Sequence, residues 1–598
     1  MKYADQFMDW LVDEGYTHCF FVAGGNSMHL LEAASRLFDC VPVIHEVAAG
    51  IAAEYFNDAS DGAERAFALV TAGPGITNIV TAIAGAWLES RELLVIGGQA
   101  KTTNLAHDRV RQIGLQEIDG TSIIKSISKE SLLVERRLTE TEVKRICRVS
   151  KSGRKGPVFL EMCIDVTAMP PLDNSICLLP DEPQLPAASI EIVKSVANRM
   201  RASERPLLLI GGGVSRSHMR ELLPRIEALN IPLATTWNGF DRVPSTYPYY
   251  SGRPNTFGMR WANIVSQQAD LMIANGTRLG VQQVGFAWEQ FLPLGKLVQI
   301  DLDQNELEKG FPTIDEAICA DANQFLSALV LELELSAYCT KNDWTDFIQK
   351  VRLEVPLIDN ANEAGPGYLE MYQVVNYLST IMSSDDVVVS CSSGGSFTSV
   401  MQVFEQKIGQ IGISNKGLAS MGYGLSGAIG ASLATRGRRT VLVEGDGGFA
   451  QNLQEIGTVE RQNLPIKMFI MCNEGYASIR TSQKAYFAGN YVGCDIQTGL
   501  GLPKWDKIFE AYGIECLTLD ASNPFNADFL TKFNSDKPVA FIVNLDPHQL
   551  FYPKITSKML PDGRMSSNPL HLMTPSLPES KARLVMPYME EAGYDITS

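Results

Sequence analysis

The sequence predicts an α/β protein of three domains with mainly parallel, doubly wound sheets, followed by a C-terminal tail. Three observations lead there. Short apolar runs alternate with helical stretches along most of the chain, the pattern of strands joined by crossover helices. Several runs end in glycine turns, as at Gly211-Gly212-Gly213 and Gly445-Asp446-Gly447-Gly448. A Pro-rich stretch at 170–186 and a charged stretch before Gly365 divide the chain into blocks.

The first block, residues 1–170, has expected strands at 17–22, 41–44, 66–70, 93–96 and 158–164. The second, 188–340, opens with a helix at 190–200 and has strands at 206–210, 269–274 and 297–300. The third, 365–552, has strands at 387–390, 440–444, 467–471 and 539–545. The first and third blocks are candidates for one fold used twice. The tail, 553–598, is rich in Pro, Ser and Met, with a short helix expected near its end.

Bulk properties exclude several classes. At 598 residues the chain exceeds one core, and 45% hydrophobic with 20% charged residues is globular composition. A net charge of −17 argues against nucleic acid as partner, because a polyanion needs a basic face. The eleven cysteines are scattered without a Cys-x-x-Cys pair, the usage of a reducing compartment. The first residues lack a secretory apolar core, so a cytoplasmic location is expected. The uncharged run 417–435 reaches membrane-spanning length, but its Gly and Ser content reads as buried backbone and not as a span. No membrane partner is expected.

The most informative stretch runs from Gly445-Asp446-Gly447-Gly448 to Cys472-Asn473-Glu474-Gly475. A strand delivers an acid into a glycine turn that opens a helix, expected over 449–461. Glycines let the backbone approach a phosphate, and a helix N-terminus presents N–H groups to it. The acid suits a cation bridging phosphates, because Mg²⁺ takes few protein oxygens besides phosphate oxygens. The next strand brings Asn473 to the same sheet edge, 27 residues after Asp446. A glycine turn alone is an ordinary strand-to-helix join; its pairing with Asn473 makes it specific.

On these residues the chain resembles the thiamine diphosphate enzymes of the acetolactate-synthase-like superfamily. Their signature is Gly-Asp-Gly followed, after a stretch of similar length, by an Asn that is usually doubled; here Cys472 replaces the first of the pair. The resemblance implies that Asp446 and Asn473 hold Mg²⁺ by their side chains and Gly475 by its carbonyl. Gly445, Gly447 and Gly448 would lie against the diphosphate, with Gly394-Gly395-Ser396 as a second contacting turn. Gly417-Leu418-Ala419-Ser420-Met421-Gly422 resembles the segment that seats the aminopyrimidine: the Ala419 carbonyl would accept from the 4′-amino group, and Met421 would be the wedge under the bent cofactor. Thr71-Ala72-Gly73-Pro74-Gly75-Ile76-Thr77-Asn78 matches a turn close to the cofactor, through Gly73, Pro74 and Asn78. The first domain is then pyrimidine-binding and the third diphosphate-binding. A homodimer or homotetramer with active sites at the interface is implied.

Cofactor activation needs a carboxyl that hydrogen-bonds the pyrimidine N1′ in a partly desolvated place. Glu46, in Val43-Ile44-His45-Glu46-Val47-Ala48-Ala49-Gly50, matches the family's residue. By its position alone it could instead cap a helix N-terminus. Glu54, two turns on, reads as structural.

The reaction is less determined. Simple keto-acid decarboxylases of this superfamily carry an adjacent His pair, and none of the seven histidines here adjoins another. Arg111-Gln112-Ile113-Gly114-Leu115-Gln116-Glu117 keeps the Gln-Glu that acetolactate synthases place near the thiazolium, which makes Gln116 a substrate-side catalytic candidate. The longer connection before it, and the stretch from Gly475 to Gln483, resemble members associated with surface-polysaccharide and unusual-sugar pathways. Arg480 would grip an acceptor phosphate or carboxylate, with Gln483 beside it; a salt-bridged structural arginine is the alternative. The expectation is a carboligase that decarboxylates a 2-keto acid, pyruvate first, and passes the acyl carbanion to a carbonyl acceptor, a nucleotide-linked keto-sugar among the candidates. The alternatives are a plain decarboxylase, a C–C hydrolase of a cyclic diketone, and a non-catalytic relative; intact Glu46, Asp446 and Asn473 speak against the last.

In this superfamily the middle domain binds FAD, ADP or nothing. Arg278, in Asn275-Gly276-Thr277-Arg278, and Asp301, in Ile300-Asp301-Leu302-Asp303, resemble its nucleotide-binding strand ends. The family's acidic residues after that Arg are missing. FAD is therefore a candidate third cofactor. Tails of this superfamily close over the active site in some members.

Overall fold

The computed structural model describes residues 1–107, 109–173, 184–391, 393–560 and 562–597. The expected linker at 170–186 falls largely outside them. Three parallel sheets with flanking helices carry the fold. The first contains β1 (Tyr16–Phe21), β2 (Asp39–Pro42), β3 (Arg65–Val70), β4 (Leu93–Gln99), β5 (Glu130–Val134) and β6 (Pro157–Cys163), in the order β2-β1-β3-β4-β6-β5. The middle sheet contains β7 (Pro206–Ile210), β8 (Leu233–Thr235), β9 (Leu271–Asn275), β10 (Lys296–Asp301) and β11 (Glu316–Cys319), in the order β11-β10-β9-β7-β8. The third contains β12 (Val387–Ser390), β13 (Ile411–Ile413), β14 (Thr440–Gly445), β15 (Ile466–Cys472), β16 (Glu515–Leu519) and β17 (Val539–Asn544), in the order β13-β12-β14-β15-β17-β16.

The third order repeats the first strand for strand, so the chain does use one fold twice. In both, the second strand lies outside the first and the sixth inserts between the fourth and fifth.

By compactness the chain divides into two units. One comprises Met1–Pro183, Asp385–Gly394 and Ile413–Asn544; the other comprises Gln184–Ser384, Gly395–Gly412 and Leu545–Ser598. The first unit thus holds the first sheet and the third sheet except Ile411 and Gly412 of its edge strand β13. Its centre is the packing of the helix Tyr423–Ala434 on the helix Glu46–Ala59. The first of these reads Tyr-Gly-Leu-Ser-Gly-Ala-Ile-Gly-Ala-Ser-Leu-Ala, and small residues are what let two backbones come so close. A Cβ at Gly430 would lie 2.0 Å from the Ala52 carbonyl oxygen. This packing accounts for the uncharged run at 417–435, and no helix of the described residues is long and apolar enough to cross a membrane.

The other unit holds the five-stranded sheet and the tail. The tail makes a hairpin, Ser557–Met559 with Met565–Ser567, then two short helices, Glu579–Val585 and Pro587–Glu591. Ile555, Leu570, Met573, Val585, Met586 and Met589 join the core of this unit. Gln268 Nε2 donates to the Val585 carbonyl at 2.9 Å, and the Tyr588 ring lies edge-on to Trp344. The tail's apolar residues are thus the missing wall of the middle domain's core.

Two sequence expectations change in detail. The strand expected at 41–44 ends at Pro42, because His45 already caps the next helix: its Nδ1 accepts the Val47 N–H at 3.2 Å. The helix expected at 449–461 starts earlier and is broken. Helical turns at Asp446–Phe449 pass into a 3-10 stretch, Ala450–Glu455, before the helix Ile456–Arg461. Asn452 leaves helical geometry there (φ −135°), and its Nδ2 donates to the Gly422 carbonyl at 2.8 Å.

Candidate active site

β14 and β15 are parallel neighbours with Gly445 paired to Met471. Asp446 and Asn473 therefore leave the same carboxyl edge of the third sheet, as their spacing predicts. The Asp446 side chain is 2% exposed. Its Oδ1 accepts the Gly447 N–H at 2.7 Å and its Oδ2 accepts the Gly475 N–H at 3.1 Å. Burial pushes this carboxyl up to about 7. A carboxylate so desolvated is costly as a lone anion and favours a cation beside it. Among the described residues no group of three or more His, Cys, Asp or Glu side chains could hold a metal. The oxygens on offer are one carboxylate, the Asn473 amide and backbone carbonyls, a hard donor set that fits Mg²⁺ completed by phosphate oxygens.

The loop carrying Asn473 is braced. Gly475 has φ +124°, and a Cβ there would lie 2.7 Å from the Cys494 carbonyl oxygen. The Tyr476 N–H donates to that carbonyl at 2.7 Å. Of the two readings of Arg480, a grip on an acceptor or a salt-bridged structural role, its position fits the second: it is buried beneath this loop. Its Nη2 donates to the Asn473 carbonyl at 2.8 Å, and Nη1 lies 3.4 Å from the Asp495 carboxylate. Gln483 likewise spends its amide on the backbone of Val492, at 3.2 and 3.0 Å. Both side chains therefore shape the loop. Cys472 ends β15, where burial raises its thiol well above the ordinary range.

Gly394, with φ +82°, opens the helix Gly394–Val403 after β12, the strand beside β14. Gly394 thus follows the strand adjoining the diphosphate turn. Ala419 has φ +54°, a left-handed conformation that costs a non-glycine residue energy, and Met421 is 37% exposed. The Met421 sulfur lies 3.6 Å from Gln451 Nε2. Gln451 and Asn452, neither of them foreseen from the sequence, connect this segment to the stretch after the diphosphate turn.

In the first sheet, Glu46 is the first residue of the helix Glu46–Ala59 and is 8% exposed. His45 takes the capping role, so Glu46 is not the cap. Its Oε2 accepts from Asn78 Nδ2 at 2.9 Å. Asn78 stands on the helix Pro74–Glu89, whose N-cap Gly73 has φ +63°. A Cβ on Gly73 would lie 2.5 Å from the Gln116 carbonyl oxygen, so Gly73 and Gln116 meet through backbone. Gln116 itself is exposed with φ +60°. Glu117 holds that loop, accepting the Ile113 and Gly114 N–H groups at 2.8 Å each.

The two halves are joined by a residue the sequence does not single out. The Glu455 carboxylate accepts the N–H groups of Ile44 and His45, both at 3.1 Å. In the middle sheet, β9 and β10 are neighbours, and Arg278 and Asp301 lie at their carboxyl ends. Arg278 is exposed, its carbonyl accepting from Lys309 Nζ, and Asp301 Oδ1 accepts the Asp303 N–H at 3.0 Å. The Gly211 and Gly213 N–H groups are already spent on the Asn275 and Gly276 carbonyls, at 2.9 Å each.

Comparison with known proteins gives the same three parts. Residues 1–123 match the thiamine pyrophosphate enzyme N-terminal TPP binding domain, 193–329 the central domain and 393–543 the C-terminal TPP binding domain. The chain is 30% identical over 526 residues to acetolactate synthase 1, chloroplastic, of Oryza sativa subsp. japonica, covering 85% of this chain and 77% of that protein. It is 28% identical over 560 residues to the acetolactate synthase isozyme 1 large subunit of Escherichia coli (strain K12), covering 92% and 95%. It is 27% identical over 580 residues to the probable acetolactate synthase large subunit of Methanocaldococcus jannaschii, covering 95% of each. The chain belongs to the acetolactate synthase-like family of thiamine diphosphate-dependent enzymes.

Proposed function

We propose that this enzyme is a Mg²⁺-dependent carboligase that decarboxylates a 2-keto acid, pyruvate first, and joins the acyl unit to a carbonyl acceptor. The observation that carries the proposal is the Asp446 cluster: a buried carboxylate, its oxygens fixed by Gly447 and Gly475, beside Asn473 at a glycine-lined sheet edge. Thiamine diphosphate, when bound, supplies a reactive carbon that adds to the keto group and takes up the electron pair left by CO₂. The chain's own residues do the rest. Asp446, Asn473 and the Gly475 carbonyl would hold Mg²⁺. Gly445, Gly447, Gly448, Gly394, Gly395 and Ser396 would lie against the diphosphate, and Ala419 and Met421 would seat the aminopyrimidine. Glu46, oriented by Asn78, would hold the proton at the pyrimidine N1′, with Gly73 and Pro74 close to the cofactor and Gln116 on the substrate side.

The names of the relatives support ligation over simple protonation, as does the absence of adjacent histidines. Acetolactate is a pyruvate-derived acyl unit joined to a second pyruvate, so a 2-keto acid is the acceptor those names favour. They lend no support to a nucleotide-linked keto-sugar. The buried brace role of Arg480 removes the side chain that would have gripped its phosphate.

FAD in the middle domain would rest on Arg278 and Asp301, because the Gly211 and Gly213 N–H groups are already taken by the Asn275 and Gly276 carbonyls. Self-association as a homodimer or homotetramer is supported by exposed apolar side chains on the first unit, Leu115 at 81% and Phe487 at 65% among them. The test is product analysis with pyruvate, thiamine diphosphate and Mg²⁺, alone and with a panel of carbonyl acceptors. Acetolactate, or another product two carbons heavier than its acceptor, supports the proposal. Acetaldehyde released regardless of acceptor makes the enzyme a decarboxylase.

A further inference from the structure

Glu54 lies two turns after Glu46 on the helix Glu46–Ala59 and is fully shielded from solvent. Three donors from two other parts of the unit converge on its carboxylate. Arg91 Nη1 donates to Oε1 at 2.9 Å, Asn415 Nδ2 to Oε1 at 3.1 Å and the Tyr423 hydroxyl to Oε2 at 3.0 Å. Asn415 and Tyr423 bracket the segment that contains Ala419 and Met421. The start of this segment is also held from the first sheet's side: Arg91 Nη2 donates to the Ser414 carbonyl at 2.8 Å, and the Gly417 N–H donates to Glu89. Between the brackets, residues 416–421 are half-buried or exposed. Their course is therefore fixed at the two ends and by Gln451 and Asn452 beside Met421 and Gly422, although Ala419 must be kept left-handed. A conformation of that kind persists only where the surroundings over-determine it. The fit at the Tyr423 end is close, since a Cβ on Gly85 would lie 1.7 Å from its hydroxyl oxygen.

We infer that Glu54 is a positioning residue: it ties the segment seating the cofactor's aminopyrimidine to the helix that begins with Glu46, and so sets where Ala419 and Met421 stand. The inference rests on the proposed cofactor site and adds a residue that site does not contain. Asp58 lies 3.5 Å from Arg91, and the Arg91 guanidinium lies over the Tyr55 ring at 5.4 Å, so Arg91 is itself held in place. Burial raises the Glu54 carboxyl to about 7 while Arg91 and Tyr423 draw it down. A buried group of this cost, satisfied by three donors, confers a definite geometry on whatever those donors carry.

The test separates seating of the pyrimidine from binding of the diphosphate. Calorimetric affinities for thiamine diphosphate and for inorganic pyrophosphate, each with Mg²⁺, are measured on wild type, Glu54→Gln and Tyr423→Phe. Loss of one such hydrogen bond predicts about fivefold weaker thiamine diphosphate binding in both variants, and an altered near-ultraviolet dichroism of the bound cofactor, with pyrophosphate affinity unchanged. If Glu54→Gln does not fold, Tyr423→Phe decides alone, because it keeps the ring and the packing. Equal binding of thiamine diphosphate by wild type and Tyr423→Phe, or parallel weakening of both ligands, overturns the inference. Wild-type protein that binds pyrophosphate but not thiamine diphosphate overturns the underlying cofactor site instead, and the inference with it.

Discussion

The Glu455 carboxylate accepts the His45 N–H at 3.1 Å, so the residue before Glu46 is held by the stretch that follows the diphosphate turn. A second N–H, from Ile44, reaches the same oxygen, and the Thr458 hydroxyl donates to the other at 2.7 Å. A buried carboxyl that collects three donors is a rigid joint. Through it the activating acid's helix start is registered against the third sheet.

Asp446 is predicted to be needed for the cofactor and not for the fold. Wild type with thiamine diphosphate and Mg²⁺ at about 100 times the dissociation constant should gain about 2.7 kcal/mol, read as a rise in melting temperature. Chelation of the metal, or Asp446→Ala, should abolish that gain. A ligand-induced rise that survives in Asp446→Ala would place the metal elsewhere.

Arg480 is predicted to act on the metal loop. Because its guanidinium bonds the Asn473 carbonyl, Arg480→Gln should weaken Mg²⁺-dependent cofactor binding, by about tenfold for the loss of a charged hydrogen bond. The KM for the acceptor, measured at saturating cofactor, should stay near wild type. A raised acceptor KM with unchanged cofactor affinity would return Arg480 to the substrate.

Stability should fall with pH through Glu161. This carboxyl is 1% exposed, and burial raises it to about 8 although Gln99 Nε2 donates to it at 2.6 Å. The folded protein then keeps a proton that the unfolded chain releases above the ordinary carboxylate range. Its contribution is intact below about 4.5 and is lost as pH rises toward 8. Thermal melts from pH 5 to pH 9, on a grid chosen to span this window, should show wild type losing about 1 kcal/mol or more relative to Glu161→Gln. Parallel curves would contradict the assignment.

Gly430→Ala should destabilise the first unit by about 1–3 kcal/mol, because the added methyl meets the Ala52 carbonyl 2.0 Å away and two packed helices must separate. Differential scanning calorimetry checks it. An unchanged melting temperature would show that the helices can part without cost.

Much of this was legible in the sequence, and the gaps have a physical pattern. The strands that show as apolar runs include β3, β4, β6, β9, β10, β14, β15 and β17, nearly all in sheet interiors and apolar on both faces. The strands without such a run, β5, β8, β11, β13 and β16, are all edges. They are either three residues long or only partly buried, as in Glu515–Leu519, and so lack a run to recognise. The site followed the same logic. Asp446 and Asn473 stand out because a glycine turn and a fixed spacing mark them. Glu455 and Asn452 do not, and Glu54 reads only as structural, because a buried carboxylate or amide in a helix looks like any surface residue until the fold supplies its partners. Arg480 stayed open between a substrate-gripping and a salt-bridged structural reading for that reason: its partners, Asn473 and Asp495, are brought near it by the turn at Gly475.

The most direct test of the account is Glu46→Gln beside wild type, each titrated with thiamine diphosphate and Mg²⁺ by calorimetry and then assayed for CO₂ release from pyruvate. The account predicts that both bind the cofactor with similar affinity, while CO₂ release in the variant falls about 10²- to 10⁴-fold, the range typical of a lost acid–base group. Equal CO₂ release from both proteins would contradict the role of Glu46, and with it the arrangement proposed for the site.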